Sequence, residues 1–282
     1  MNKTFATPQE GLRDTVTLNN GVRMPRLGLG VFQVKDGNQV KEAVLNALET
    51  GYRCIDTAAI YGNEKGVGEA IRASSIGRDE LFVTTKLWND DIRRGNLQGA
   101  FEASQERLGL EYLDLYLIHW PVENRFAAWD FMTELQEKKC VRAVGVSNFM
   151  ICHLEELLAV SQTVPVINQV EYHPYLQSRP LHNYCLEKGI RLQAWSPLMQ
   201  GKVLKDEVIQ NIAAKYGKTP AQIVLRWELQ MGVLVIPKSV HPERIRENCD
   251  VFDFDLSEDE MYLICDLECD QRNGADPMNF NF

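Results

Sequence analysis

LFVTTK (81–86), GNLQGAFEASQERL (95–108) and LDLYLIH (113–119) decide how this chain folds. The first and third segments are short, nearly unbroken apolar runs, as expected for strands buried on both faces. The segment between them repeats apolar residues at helical spacing. Strand, helix, strand within 39 residues describes a parallel βαβ unit. The same alternation extends in both directions. Further strand candidates are Tyr52–Ile55, Val141–Val146, Val164–Val170, Ile190–Ala194 and Val233–Ile236, with a weaker, glycine-rich run at Leu27–Phe32. Helical candidates include Asn38–Thr50, Phe126–Glu137, Cys152–Val160, Arg179–Lys188 and Asp206–Tyr216. Three more follow at Pro220–Met231, Pro242–Asn248 and Ser257–Leu267. Eight such strands fit an α/β chain closed into a (β/α)8 TIM barrel. No repeat, low-complexity stretch or linker divides residues 1–282, so one domain is expected, with 1–12 as a flexible N-terminal extension. Arg13–Thr17 and Gly21–Arg23 flank Asn19-Asn20 and suggest a short N-terminal β-hairpin.

Composition narrows the partners. Lys plus Arg is 30 against 39 Asp plus Glu, a net charge of −9. That balance argues against nucleic acid, which needs a basic surface. No apolar run approaches the roughly 18 residues of a membrane helix, and Met1–Asp14 contains no signal-peptide core. Seven cysteines, an odd number with no Cys-x-x-Cys pair, read as reduced thiols in a cytoplasm. Cys265 and Cys269 stand four apart without further ligands, so no metal is expected and both read as buried small residues.

Residues at the ends of the apolar runs carry the functional signal. Asp56 ends one run, Lys86 the next and His119 the one after, with Tyr61 just beyond the first. Ser147 and Asn148, Gln169 and Glu171, Trp195 and Ser196, and Lys238 and Ser239 end later ones. In a parallel barrel every strand C-terminus opens on one face, so these side chains converge on a single mouth. Solvated loops explain any one of them. They explain poorly Asp, Lys and His at three consecutive strand ends. An open doubly wound sheet would want Gly-x-Gly-x-x-Gly, and neither Gly28-Leu29-Gly30 nor Gly66-Val67-Gly68 completes it.

The four residues suggest proton transfer. An isolated tyrosine, with a pKa of roughly 10, is a slow acid near neutrality, and a nearby cation such as Lys86 should lower that value. Asp56 can keep Lys86 charged, and His119 can offer a neutral N–H to a substrate oxygen. This set suits reduction of an aldehyde or ketone. No side chain supplies hydride, so a nicotinamide is required.

Three motifs carry a family resemblance. Gly51-Tyr52-Arg53-Cys54-Ile55-Asp56-Thr57-Ala58, with Tyr61, Glu64 and Val67-Gly68, resembles the first signature of the aldo-keto reductases. Val144-Gly145-Val146-Ser147-Asn148-Phe149 is similar to their central motif. Ile236-Pro237-Lys238-Ser239, with Arg244 and Glu247-Asn248, is similar to their C-terminal signature. The stretches 85–91 and 218–224 look closest to the bacterial 2,5-diketo-D-gluconate reductase branch. The resemblance implies a tetrad of Asp56, Tyr61, Lys86 and His119, with Tyr61 as acid. It implies that Ser147, Asn148 and Gln169 hold the nicotinamide carboxamide and that Trp195 stacks on its ring. Ser196, Leu198 and Gln200 would follow the pyrophosphate. Lys238, Ser239 and Arg244 would take the 2′-phosphate of NADPH (NADP+), with Glu247 and Asn248 near the adenine. A helix start just after Ser239 independently favours an anion there.

Phe32 stands where many members carry tryptophan, and Cys54 occupies a position more often held by another small residue or histidine. Phe32, Trp88 and Trp120, with His119, are expected to wall the substrate pocket, and Asp276–Phe282 to fold over it. The short Pro121–Arg125 connection leaves one side open, suiting small activated carbonyls such as 2-oxoaldehydes (methylglyoxal) and keto sugars (2,5-diketo-D-gluconate). Two alternatives are a Schiff-base aldolase using Lys86 and a nicotinamide-binding regulatory or structural protein on the same barrel. No dimerisation segment stands out, so monomer is the default.

Overall fold

The computed structural model describes residues 11–282. Only Gly11 and Leu12 of the expected flexible extension fall within it. They begin a 3-10 turn, Gly11–Arg13, while residues 1–10 lie outside the described residues. The hairpin follows as β1 (Thr15–Thr17) and β2 (Arg23–Pro25), paired antiparallel with Val16 opposite Met24. Asn19 and Asn20 occupy the turn as expected. The second strand starts two residues later than the sequence suggested, because Leu18 N bonds to Val22 O and so extends the turn.

Eight parallel strands then run in chain order around a barrel. They are β3 (Leu29–Gly30), β4 (Cys54–Asp56), β5 (Phe82–Leu87), β6 (Leu113–Ile118), β7 (Val141–Ser147), β8 (Ile167–Glu171), β9 (Arg191–Trp195) and β10 (Leu234–Val235). The sheet closes where Leu27 bridges Val235, with Gly28 N donating to Val235 O at 2.9 Å and Gly30 N to Pro237 O at 3.1 Å. The sequence read the first strand as Leu27–Phe32. Its ladder is shorter because those six residues divide their bonds between β4 on one side and β10 with the chain just beyond it on the other.

Period-2 alternation sorts side chains between two cores. On β6, Leu115 and Leu117 point inward to meet Phe82, Ala143, Ile167 and Leu234. Tyr116 and Ile118 point outward beneath the helices. Val16, Leu18 and Met24 of the hairpin join the interior cluster, and Asn19 and Asn20 donate to the carbonyls of Pro165 and Arg142. The hairpin therefore closes the N-terminal end of the barrel, and only the opposite end is left for chemistry. Full burial of a side chain such as Leu18 or Met24 in this plug is worth about 1.5–3 kcal/mol of transfer free energy.

Two helices escaped the sequence reading. Asn89–Arg94 is a short helix after β5, and Glu64–Ala73 fills the connection between β4 and β5. The second contains Gly66 and Gly68, which mark close packing. A Cβ on Gly68 would lie 2.0 Å from the Leu108 carbonyl oxygen of the neighbouring helix Leu97–Leu108. The same helix buries Glu64, whose carboxylate accepts from Thr85 Oγ1 at 2.5 Å and pairs with Arg107 at 2.6 Å. This contact fixes β5 one residue before Lys86. Cys265 is buried, but Cys269 is exposed, because the helix expected to reach Leu267 ends at Cys265.

Candidate active site

β4 delivers Asp56 and β5 delivers Lys86 to adjacent positions beneath the mouth, where both side chains are buried. Lys86 Nζ donates to Asp56 Oδ1 at 2.5 Å and to the Thr57 carbonyl at 2.8 Å, and reaches the Tyr61 hydroxyl at 3.5 Å. Tyr61 ends a 3-10 turn, Ala59–Tyr61, that brings the phenol back over the strand ends. Burial pushes Lys86 down, but Asp56 and Tyr61 push it up further, so it stays a full cation.

The sequence led us to expect a lowered pKa for Tyr61. Burial, however, raises it, and the opposing pull of Lys86 does not overcome that, so the phenol sits above its ordinary value. Tyr61 is therefore a fully protonated donor at neutral pH. His119 is pushed well below the ordinary histidine range, first by burial and then by Lys86. It is a neutral ring that lines the cavity, and its buried Nδ1 has no partner among the described residues. The ring meets Tyr61 and Trp88 edge-on, with centroids 5.7 and 5.2 Å away.

A cavity of about 950 Å³ opens above these groups. Asp56, Tyr61 and His119 line it, and Lys86 lies just behind them. Ser147, Asn148, Gln169 and Trp195 line it from β7, β8 and β9. Ser196, Leu198 and Gln200 line it from the loop after β9, and Lys238, Ser239, Arg244, Glu247 and Asn248 from the segment after β10. Phe32, Trp88 and Trp120 complete the wall, although Phe32 is 53% exposed and leans on Tyr61 at 4.9 Å.

Hydrogen bonds order this rim. Asn148 donates to the His119 carbonyl at 3.0 Å and accepts from Trp195 Nε1 at 2.9 Å. Gln169 Nε2 donates to Asp56 Oδ2 at 2.7 Å and to Gln193 Oε1 at 2.8 Å. Gln33, Asn148, Ser196 and Gln200 all line the cavity with left-handed backbones (φ 59°, 63°, 55° and 53°). Strain of this kind costs about 1–3 kcal/mol per residue and collects at sites the surrounding structure over-determines.

The side chains of Lys238 and Arg244 form no ion pair or hydrogen bond with the described residues. They flank the start of helix Pro242–Cys249, where Ser239 Oγ accepts from His241 N at 3.1 Å. Glu247 accepts from Thr219 Oγ1 at 2.8 Å.

Sequence reasoning missed Ile60, Gln33 and the Asn273–Ala275 segment, which also line the cavity. Ile60 is adjacent to Tyr61 and was legible as a rim position. The 273–275 segment lies far from every motif and carried no signal. The expected fold of the tail over the mouth is present: Phe282 stacks on Trp88 with centroids 6.1 Å apart, and Phe280 and Phe282 pack on Trp120 at 4.9 and 5.0 Å.

A sequence profile of the Aldo/keto reductase family matches residues 26–268. The chain is 52% identical over 267 residues to glyoxal reductase of Bacillus subtilis, covering 94% of this chain and 97% of that one. It is 49% identical over 274 residues to methylglyoxal reductase DkgA of Yersinia pestis, covering 95% and 98%. It superposes with a TM-score of 0.90 on the crystal structure of a mutant of Gox0644 in complex with NADPH, at 42% identity over 95% of this chain and 98% of that one.

Proposed function

The chain belongs to the aldo/keto reductase family, and on that premise we propose that it reduces aldehydes and ketones to alcohols with NADPH, Tyr61 giving the proton. The observation that carries this reading is the cation at Lys86, 3.5 Å from the hydroxyl of a protonated Tyr61 and beside a neutral His119.

The cavity fits the cofactor. Lys238 and Arg244, whose side chains have no partner among the described residues, flank a helix start suited to a phosphate, and Trp195, bonded to Asn148, lines the cleft where it would face the nicotinamide. Ser147, Asn148 and Gln169 would hold the carboxamide, and Ser196, Leu198 and Gln200 would run beside the pyrophosphate. Bound there, NADPH would supply the hydride that carbonyl reduction needs.

The chain does the rest. His119 Nε2–H donates to the carbonyl oxygen and orients it, which a protonated ring would also do but a neutral one does without placing a second charge beside Lys86. The Tyr61 O–H transfers its proton to that oxygen as negative charge develops on it. The phenolate left behind is stabilised by the Lys86 ammonium, whose charge Asp56 keeps in place.

Phe32, Ile60, Trp88, Trp120 and Phe282 give the carbonyl end apolar walls. Among the described residues that line the cavity, Lys238 and Arg244, both after β10, are the only lysine or arginine. Small neutral carbonyls, 2-oxoaldehydes such as methylglyoxal foremost, therefore suit the pocket better than an anionic keto sugar acid. The names of the glyoxal and methylglyoxal reductases above point the same way. NADPH consumption with methylglyoxal, 2,5-diketo-D-gluconate and a bulky steroid ketone tests this: the first should turn over best, and equal use of the steroid would contradict it. A Lys86 Schiff base is disfavoured, since that chemistry needs a free amine and Lys86 is a paired ammonium.

A further inference from the structure

Glu171, the last residue of β8, is buried at the rim without touching the tetrad. Its Oε1 accepts from the backbone N–H of Asn273 at 2.6 Å, and its Oε2 accepts from that of Gly274 at 3.1 Å. His173 Nε2 lies 3.1 Å from Oε1. Burial pushes the carboxyl up, but the bonds from His173, Asn273 and Gly274 outweigh it, so Glu171 is ionised. A carboxylate only accepts, so His173 carries its proton on Nε2.

The peptide held this way lies against Trp195. A Cβ on Gly274 would stand 2.4 Å from Trp195 Cη2 and 3.0 Å from Cζ3, so only glycine lets the backbone press so closely on the indole. Lys202 Nζ donates to Asn273 Oδ1 at 2.7 Å and ties the same peptide to the loop after β9. The far end of the segment is seated separately. The Phe282 main-chain oxygen accepts from Asn89 Nδ2 at 3.1 Å and Arg93 Nη2 at 2.9 Å, with the ring against Trp88 and Trp120.

We propose that Glu171 is a positioning residue: it seats the 273–282 segment across the barrel mouth and thereby holds the Trp195 ring in place. The inference rests on the proposal that Trp195 faces the nicotinamide. The connection is continuous: Glu171 fixes Gly274, Gly274 backs the indole, and the indole N–H donates to Asn148, which bonds to the carbonyl of His119. An amide at position 171 keeps the volume but has one acceptor fewer, and it turns an N–H toward a backbone N–H.

Glu171→Gln tests this through hydrogen–deuterium exchange of the ligand-free protein and through NADPH binding. Exchange at Asn273 and Gly274 should quicken by about tenfold or more, the loss of one charge-assisted bond. The NADPH dissociation constant should rise by a similar factor, and KM for methylglyoxal should rise more than kcat falls. Unchanged exchange at 273–274 overturns the proposal, and so does quickened exchange with unchanged NADPH affinity. Gly274→Ala is the second variant and leaves the carboxylate in place. Its methyl displaces the indole and should also weaken NADPH binding, and unaltered affinity there overturns the link to Trp195. Exchange is read without cofactor, so failure of wild type to bind NADPH would strike at the functional reading alone.

Discussion

Lys86 Nζ stands 2.5 Å from Asp56 Oδ1, at the ends of neighbouring strands, with both side chains almost wholly out of solvent. Breaking one side of such a pair leaves a charge buried without a partner, which costs about 3–5 kcal/mol. Lys86→Met should therefore lower unfolding free energy by that order in a denaturant titration. Lys86→Met combined with Asp56→Asn should recover much of the loss while remaining inactive. Equal stability of the single variant and wild type would mean that the pair is not the buried contact described.

The alkaline limb of the pH profile belongs to Tyr61. The acid must be protonated, so kcat/KM should be flat through neutrality and fall only as pH passes the phenol's raised pKa. Lys86 pulls that pKa down, so in any Lys86→Met protein with residual turnover the limb should move to higher pH. A limb that moves to lower pH would assign it to another group.

Lys238 and Arg244, whose side chains have no partner among the described residues, stand at the start of helix Pro242–Cys249. Hydrogen bonds to charged groups are worth about 1.5–3 kcal/mol each, or roughly ten- to a hundredfold in affinity. Arg244→Ala and Lys238→Ala should each weaken NADPH binding by about that factor and leave NADH nearly untouched, as fluorescence titration can show. Equal losses for both cofactors would move these residues away from the 2′-phosphate.

Glu260 gives a linkage test away from the site. Burial pushes its carboxyl up, but bonds from Lys215, Tyr216 and Ser257 bring it from 4.5 down to about 2. Its folded pKa is lower than its unfolded one, so its contribution is complete above 4.5 and is lost as pH falls through about 2. Glu260→Gln should melt below wild type at pH 7, and the gap should narrow steadily below pH 4.5. A gap independent of pH would mean that the carboxylate's charge does not stabilise the fold.

Much of this was legible because barrel strands are buried on both faces and announce themselves as apolar runs. Asp56, Lys86 and His119 could be placed on one rim from that pattern alone. What stayed hidden was whatever depends on contacts distant in sequence. Helix Glu64–Ala73 carries two glycines that weaken the helical signal, and Gly68 is there because Leu108 of another helix comes so close. The pKa of Tyr61 was misjudged because a sequence shows the neighbouring cation but not the burial opposing it. Asn273 and Gly274 reach the cavity only because Glu171, about a hundred positions earlier, holds their amides.

The most direct test of the central claim is NADPH consumption with methylglyoxal by wild type and Tyr61→Phe, with NADPH binding measured on both. General acid catalysis is worth roughly 10²–10⁴ in rate. The variant should lose turnover by about that factor while binding NADPH as wild type does. Turnover within about tenfold of wild type, below the range expected for a lost general acid, would show that Tyr61 is not the proton donor.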